Sequence, residues 1–445
     1  MSERPIATIL GEFVASTTYG SLPPEVQQQA KLRLLDTLAC AVAGRDLPWS
    51  RLAVSLVAGN HGASSVIAHN VKAPAGDAAL ANGVLAHSIL EEDTGGVGHP
   101  STIVVPAALA VAEERRSSGQ EFLVAVAMGY EVMARAAWGS TPQLIERGFR
   151  SSPVFGILGA AAAAGKLLRL DGDGVATALG YAANVAGGLT QGWWSGTMET
   201  MFHAGVAARN GILAAALAHH GATVAADTLE GRHGYYRAFA GDSEGAQRLV
   251  ADLGHRYGML ETTQKPYPAC ALNQVPIDLG LSLRERGVDP DQVERVVERV
   301  SAMGKTYPGS NVPPPYHSMF QAQMSAQFCL AAALLGKPVT DPTFYFQHYD
   351  DPDIAALAGK VELVGEADRS TYQLRIEVFL RDGRQVVIEE DRSARLRPTV
   401  EDTVQRFQSL AGGPLGPRAR QVAERVLALD QASDLTEVMA LTAAP

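Results

Sequence analysis

The sequence predicts a mainly α protein, a large all-helical domain with a smaller α+β unit, and three observations carry that expectation. From about residue 5 to 265 the chain is alanine-rich, with apolar residues at helical spacing as in "QQAKLRLLDTLACAVAG" and "VAARNGILAAALAHHG". After "KPYPAC" the period shortens to two in places, and beyond residue 395 "PTVEDTVQRFQSLAGG" returns to helical spacing. The expected division is therefore 1–265, rejoined by 396–445, and 266–395.

In the first part, Gly44, Gly165 and Gly221 are expected helix stops, where a left-handed turn costs glycine little. In "GFRSSPVFGILGAAAAAG", Ser152 is the expected N-cap and Pro153 the first helical residue, so Arg150 lies just outside. Free amides beside a guanidinium would attract a carboxylate. In the second part "VERVVERVSAM" reads as a strand and "SMFQAQMSAQFCLAAALLG" as helix. In "TYQLRIEVFLRDGRQVVIEED", Tyr372, Leu374, Ile376, Val378 and Leu380 alternate before an Asp382-Gly383 turn, which predicts a β-hairpin.

At 445 residues the chain exceeds the roughly 250–300 that one core serves. Its 47% hydrophobic and 19% charged residues exclude a disordered chain. A net charge of −10 without clustered Lys or Arg excludes a nucleic-acid surface, leaving small molecules as the expected partners. Cys40, Cys270 and Cys329 are too few and too scattered for a disulfide framework or a CxxC metal site, which fits a reducing cytoplasm. "MSERPIATILGEF" does not read as a secretion signal, and the longest apolar stretch, "PVFGILGAAAAAG", is too short for a membrane span.

No Walker loop, GxGxxG or GxSxG occurs; His87 and Glu91, four apart, are placed to meet on one helix face, but neither they nor His219-His220 make a metal set alone. Four polar clusters instead sit at the edges of apolar helices. They are "LEEDTGGVGHPST" with Glu91, Glu92, Asp93, Thr94 and His99; Arg150 before its helix; "GTMETMFHAGVAARNG" with Glu199, Thr200, His203 and Arg209; and Lys265 before the prolines of "KPYPACALNQ". Taken singly, the carboxylates read as a solvated face, Ser101 as the cap of the helix after His99, and Lys265 as a surface lysine.

Taken together, and in this order, "ANGVLAHSILEEDT", "GHPSTIVVPAALAVAEE", "LEGRHGYYRAFAGD", "KPYPAC" and "AALLGKPVT" resemble the MmgE/PrpD family of 2-methylcitrate dehydratases, cis-aconitate decarboxylases and iminodisuccinate epimerases. The resemblance spans nearly the whole chain. It implies a helical domain made of both chain ends, an α+β lid domain, a homodimer, and an active site between the domains that uses no metal or other cofactor. It matches His99, His203 and Lys265, with Asp93 and Thr94 ending the family's aspartate motif. Departures fall on Leu90, where the family has aspartate, on Thr200 in a lysine slot, and on Arg150, Cys270 and Gln274 in histidine slots.

The resemblance implies carbanion-type acid/base chemistry, for which His99, Lys265 and Asp93 are the expected catalytic residues. Thr94, Arg150, Glu199, Thr200, His203, Cys270 and Gln274 are the expected contacts to a carboxylic acid or acyl substrate. Asp93 or Glu92 is expected to orient His99 and raise its pKa. With an acid and a base missing, cis-aconitate and 2-methylcitrate are expected to be poor substrates. The favoured reading is a lyase that dehydrates a β-hydroxy acid or acyl compound in secondary metabolism. Decarboxylation or epimerisation of an unsaturated or imino di- or tricarboxylate is the alternative, and an inactive dimeric binding protein is the alternative of another class.

Overall fold

The computed structural model describes residues 4–95, 98–138 and 140–443. It is 59% helical, in keeping with the mainly α expectation. Among the described residues, twelve helices build the first part: α1 (Ile6–Ser16), α2 (Pro24–Ala43), α3 (Pro48–Val57), α4 (Ala75–His87), α5 (Ser101–Arg115), α6 (Gly119–Ala137), α7 (Thr141–Glu146), α8 (Ser151–Leu167), α9 (Gly172–Asn184), α10 (Gln191–Ser195), α11 (Glu199–His219) and α12 (Tyr235–Phe239). α4, α5, α6 and α8 are buried almost all round, which is why their sequences show alanine on every face rather than an apolar stripe.

Alanine and glycine let these helices approach backbone to backbone. A Cβ on Gly159 of α8 would lie 2.6 Å from the Gly129 carbonyl of α6, and one on Gly205 of α11 would lie 2.2 Å from the Leu80 carbonyl of α4. Larger residues at either crossing would push apart the elements that carry the site. α6 starts in a capping box: Ser118 Oγ accepts from the Glu121 amide at 3.3 Å, and the Glu121 carboxylate accepts from the Ser118 amide at 2.8 Å. α8 starts at Ser151, one residue before the expected N-cap, so Arg150 itself is the capping position and its side chain turns inward. Helix α11 is long and apolar enough to cross a membrane by length and composition, unlike the shorter stretch singled out above. It lies against α4, α8 and α9, however, with 44% of its apolar window buried.

The α+β part holds a sheet of four strands: β1 (Val293–Ser301), β2 (Val361–Glu366), β3 (Gln373–Leu380) and β4 (Gln385–Asp391), in the order β2-β1-β3-β4. β1 runs parallel to β2 and antiparallel to β3, and β3 to β4 is the expected hairpin, turning at Gly383 with φ 84°. Leu374, Ile376, Val378 and Leu380 are buried as the alternation requires. Helices Gln274–Glu285 and Ala326–Leu334 pack on one another beside this sheet. The C-terminal helix Val400–Leu415 lies against α2, so both ends of the chain contribute to the helical layer.

One inward position breaks the apolar pattern. Glu298 of β1 is fully buried between Leu363 and Ile376, both its carboxyl oxygens lack a partner among the described residues, and burial raises its pKa to about 8. A carboxyl whose folded pKa is raised penalises folding only when it would otherwise ionise. The penalty is therefore absent below the unfolded value of about 4.3, grows as pH rises from there, and levels off above about 8. Glu298→Gln, which does not titrate, is expected to gain stability on the native protein as pH rises from 5 to 8, by about 3 kcal/mol at pH 7. Urea unfolding at several pH values checks this, and a difference independent of pH would show that Glu298 does not carry it.

Candidate active site

The site begins where α4 stops. Past His87 the chain leaves the helix, and Leu90 takes a left-handed conformation with φ 58°, unusual for a branched residue. The turn brings Glu92, rather than the helically spaced Glu91, back to His87: His87 Nδ1 lies 2.9 Å from Glu92 Oε1. His99, just before α5, places its own Nδ1 2.9 Å from the same oxygen, and Lys265 Nζ lies 3.5 Å from it. Glu92 is wholly buried. Burial alone would raise its pKa, but the Lys265 ammonium and the two histidines hold the carboxyl well below the usual range.

Arg150 closes the far side of His87, with Nη2 2.6 Å from His87 Nε2. A guanidinium only donates, so His87 accepts at Nε2 and must carry its proton on Nδ1, facing Glu92. Burial drives the His87 pKa down to about 3, so the ring is neutral. Arg150 also donates to the Thr200 carbonyl, and its Nη1 lies 3.5 Å from His203 Nδ1. Burial lowers its pKa to about 10, which leaves it cationic near neutral pH. Its Nε and Lys265 Nζ are both buried without a hydrogen-bond partner among the described residues.

These groups open onto a cavity of about 300 Å³. Leu90, Thr94, His99, Arg150, Lys265 and Cys270 line it together with Trp193 and Tyr307, so five of the ten residues expected in the site meet there. The other five do not line it. The Asp93 carboxylate is turned away from His99: Oδ1 accepts from the Ser101 amide at 3.0 Å and Oδ2 from the Tyr130 hydroxyl at 2.8 Å. Asp93 thus caps α5 in the role expected of Ser101, and it meets His99 through its backbone carbonyl at 3.3 Å. Glu199 is exposed and accepts from Thr197 Oγ1 at 2.9 Å; Thr200 contributes its carbonyl to Arg150; and His203 sits behind Arg150, its pKa lowered to about 4 by burial and by that guanidinium. Gln274 is structural glue. Its amide donates to the carbonyls of Tyr267, Ala269 and Cys270 and accepts from the Tyr267 amide, holding the segment after Lys265 in shape.

The expected rise in the His99 pKa is reversed. Burial lowers it from 6.5, Lys265 and Arg150 lower it further, and Glu92 opposes them without prevailing. Cys270 is likewise held protonated, burial raising its pKa. His87, Glu92 and His99 offer three ligand atoms within 4.8 Å of one another. The donor set nonetheless disfavours a divalent cation: Nδ1 of both rings is engaged by Glu92, Arg150 takes His87 Nε2, and two cationic side chains stand within the same shell. The arrangement suits an anion.

Among known families, the MmgE/PrpD N-terminal domain matches residues 8–247 and the MmgE/PrpD C-terminal domain residues 267–431. The chain is 26% identical to the cis-aconitate decarboxylase of Aspergillus terreus over 460 residues, covering 95% of this chain and 93% of that protein. It is 28% identical to the cis-aconitate decarboxylase-like protein oryM of Aspergillus oryzae over 475 residues, covering 99% and 97%. With human cis-aconitate decarboxylase it shares 29% identity over 383 residues, covering 82% and 78%.

Lys265 is the leading opposite charge beside the buried Glu92 carboxylate, and it also offers an anion a strong contact. Lys265→Met, which leaves that carboxylate buried with less compensation, is therefore expected to unfold at a lower denaturant concentration than the parent and, in its folded form without denaturant, to bind a small dicarboxylate such as succinate at least tenfold more weakly by calorimetry. Equal succinate affinity in the two proteins would return Lys265 to a purely structural role.

Proposed function

The chain belongs to the MmgE/PrpD family, its relatives mark it as a lyase, and from that premise we propose that it is a carboxy-lyase, releasing carbon dioxide from an unsaturated di- or tricarboxylate. The observation that carries this reading is the meeting of His99, Lys265 and Arg150, from three separate segments, on one cavity. The decarboxylase names of the relatives favour this alternative over dehydration.

The chemistry follows from those groups. Lys265 and Arg150 hold carboxylates of the substrate. When the carbon–carboxylate bond breaks, its electron pair shifts through the neighbouring double bond toward a retained carboxylate, whose growing charge the two cations stabilise. The far carbon of that allylic system then accepts a proton from His99. In the free enzyme His99 is mostly neutral near pH 7, because its pKa is lowered. An anionic substrate beside it favours the imidazolium and so recruits the acid on binding. Glu92, fixed by His87, holds the Nδ1 proton and leaves Nε2 for the substrate. Asp93 serves by fixing the start of α5 rather than by moving a proton.

Residues outside the site support two further parts of the reading. Cys40, Cys270 and Cys329 are free buried thiols, which supports a reducing compartment. Adjoining helices α3 and α11 leave Leu52, Leu56, Val206 and Leu213 exposed, Leu56 by 63%, which supports a homodimer through this face. Leu56→Glu with Leu213→Glu is expected to convert dimer to monomer in light scattering; a monomeric parent protein would sink this assignment.

The decisive assay incubates the protein with cis-aconitate and with cis-aconitates bearing an alkyl group, following carbon dioxide and product mass. Loss of carbon dioxide is expected; loss of water alone would restore the dehydratase reading. kcat/KM is expected to fall as pH rises through a value below 6.5, since a lowered pKa leaves the acid form only at lower pH, while the kcat profile bends at higher pH once substrate is bound. His99→Asn is expected to lose about 100-fold or more in kcat together with that bend. Near-normal turnover with the same profile would reduce His99 to helix punctuation.

A further inference from the structure

Resting on the reading that the 300 Å³ cavity takes the reacting carboxylates, we infer that the substrate also carries an uncharged alkyl or acyl chain, which occupies a second, apolar cavity beside the first. This cavity measures about 760 Å³ and shares Gly95, Thr141, Ile145, Met303 and Tyr307 with the reacting one, so the two adjoin and a molecule anchored at Lys265 and Arg150 would need to pass only these residues to enter it. Ala134, Ala137, Trp138 and Pro142 furnish its further apolar lining.

The charges around it select against another carboxylate. No lysine or arginine is among the lining residues, and the ionisable ones, Glu146 and Glu261, are acids apart from the Tyr307 phenol. Glu261 is already engaged by Arg256, whose Nη2 lies 2.8 Å away and whose guanidinium stacks 3.9 Å from the Trp138 ring. An anionic tail would meet acids without a free cation, whereas a neutral chain would bury itself against alanine, isoleucine and tryptophan. Met303, 51% exposed at the junction of the two cavities, is an apolar side chain that such a chain would cover. The reacting cavity continues the theme with Leu90, Leu272, Phe320 and Met324, so its cations serve one end of a ligand whose remainder meets apolar surface.

The test uses maleates bearing methyl, butyl, hexyl and octyl groups for affinity by calorimetry, and their carboxymethyl derivatives, the alkylated cis-aconitates, which carry the allylic carboxylate that can leave, for carbon dioxide release measured separately. Affinity is expected to tighten about two- to fourfold per added methylene up to hexyl, the gain from moving each group out of water. Two variants address the location: Ala137→Trp fills the second cavity, and Met303→Glu, at an exposed position that leaves the core untouched, adds a charge at its entrance. Each is expected to shrink the ratio of octyl to methyl affinity to within about threefold. Equal affinity for methyl and octyl compounds in the parent protein would overturn the inference, as would an unchanged ratio in both variants. Chain-length-dependent binding without carbon dioxide release would leave the tail site standing and remove the decarboxylase reading. Release from the methyl compound without any chain-length gain would do the opposite.

Discussion

A single carboxylate oxygen, Glu92 Oε1, draws to itself His87 from the end of α4, His99 from the approach to α5, and Lys265 from the segment that leads out of the helical part. A buried carboxylate is tolerable only when it is paired, and a buried lysine only when something negative stands beside it. Each of these groups is thus a condition for the others. Removing the negative charge would leave the Lys265 ammonium buried without its carboxylate partner. The same oxygen decides the proton positions: Arg150 on one side and Glu92 on the other leave His87 a single tautomer, and Glu92 in turn orients His99.

The network is anchored from behind by a second layer of charge. Arg406, from the C-terminal helix Val400–Leu415, donates to Asp36 of α2 and to both the side chain and the carbonyl of Glu91. Gln264 adds a bond to Asp36, and Asp36 accepts the Asp93 amide at 2.9 Å. Neighbouring acids 91, 92 and 93 therefore have three different tasks: Glu91 faces the C-terminal helix, Glu92 the site, and Asp93 the start of α5. Residues 91–93 belong to neither a helix nor a strand, so no regular period binds their side chains and each takes its own partner.

Much of this was legible in the sequence where the signal was periodic. The helices, the strand at Val293–Ser301 and the hairpin follow from spacing because burial enforces it. The site was legible only as four unconnected clusters, and within them the assignments that depend on a local turn went astray. Pairing His87 with Glu91 assumed a helix through residue 91, but α4 stops at His87. Of the two carboxylates expected to orient His99, Glu92 meets it, whereas Asp93 answers a competing need, the unsatisfied amides of α5. The pKa of His99 was misjudged in sign because sequence shows a neighbouring carboxylate but not the burial and two cations that outweigh it. Lys265 could not be told from a surface lysine by its own context, since its burial comes from chain more than a hundred residues away.

The reach of Arg406 has a consequence for how the protein is made. Asp36, Glu91, Gln264 and Arg406 are spread across most of the chain's length, so the contacts that hold the acidic segment are among the most non-local in the molecule. Contacts of this kind form late, after loop closure has been offset by other packing, and an elongating chain folds from its N-terminal end. On the ribosome, the helical layer can collapse around α6 and α8 while the clamp on residues 36 and 91 is still unsynthesised. Catalytic competence then arrives only as the last helices dock, so the nascent enzyme stays silent until its translation is nearly finished.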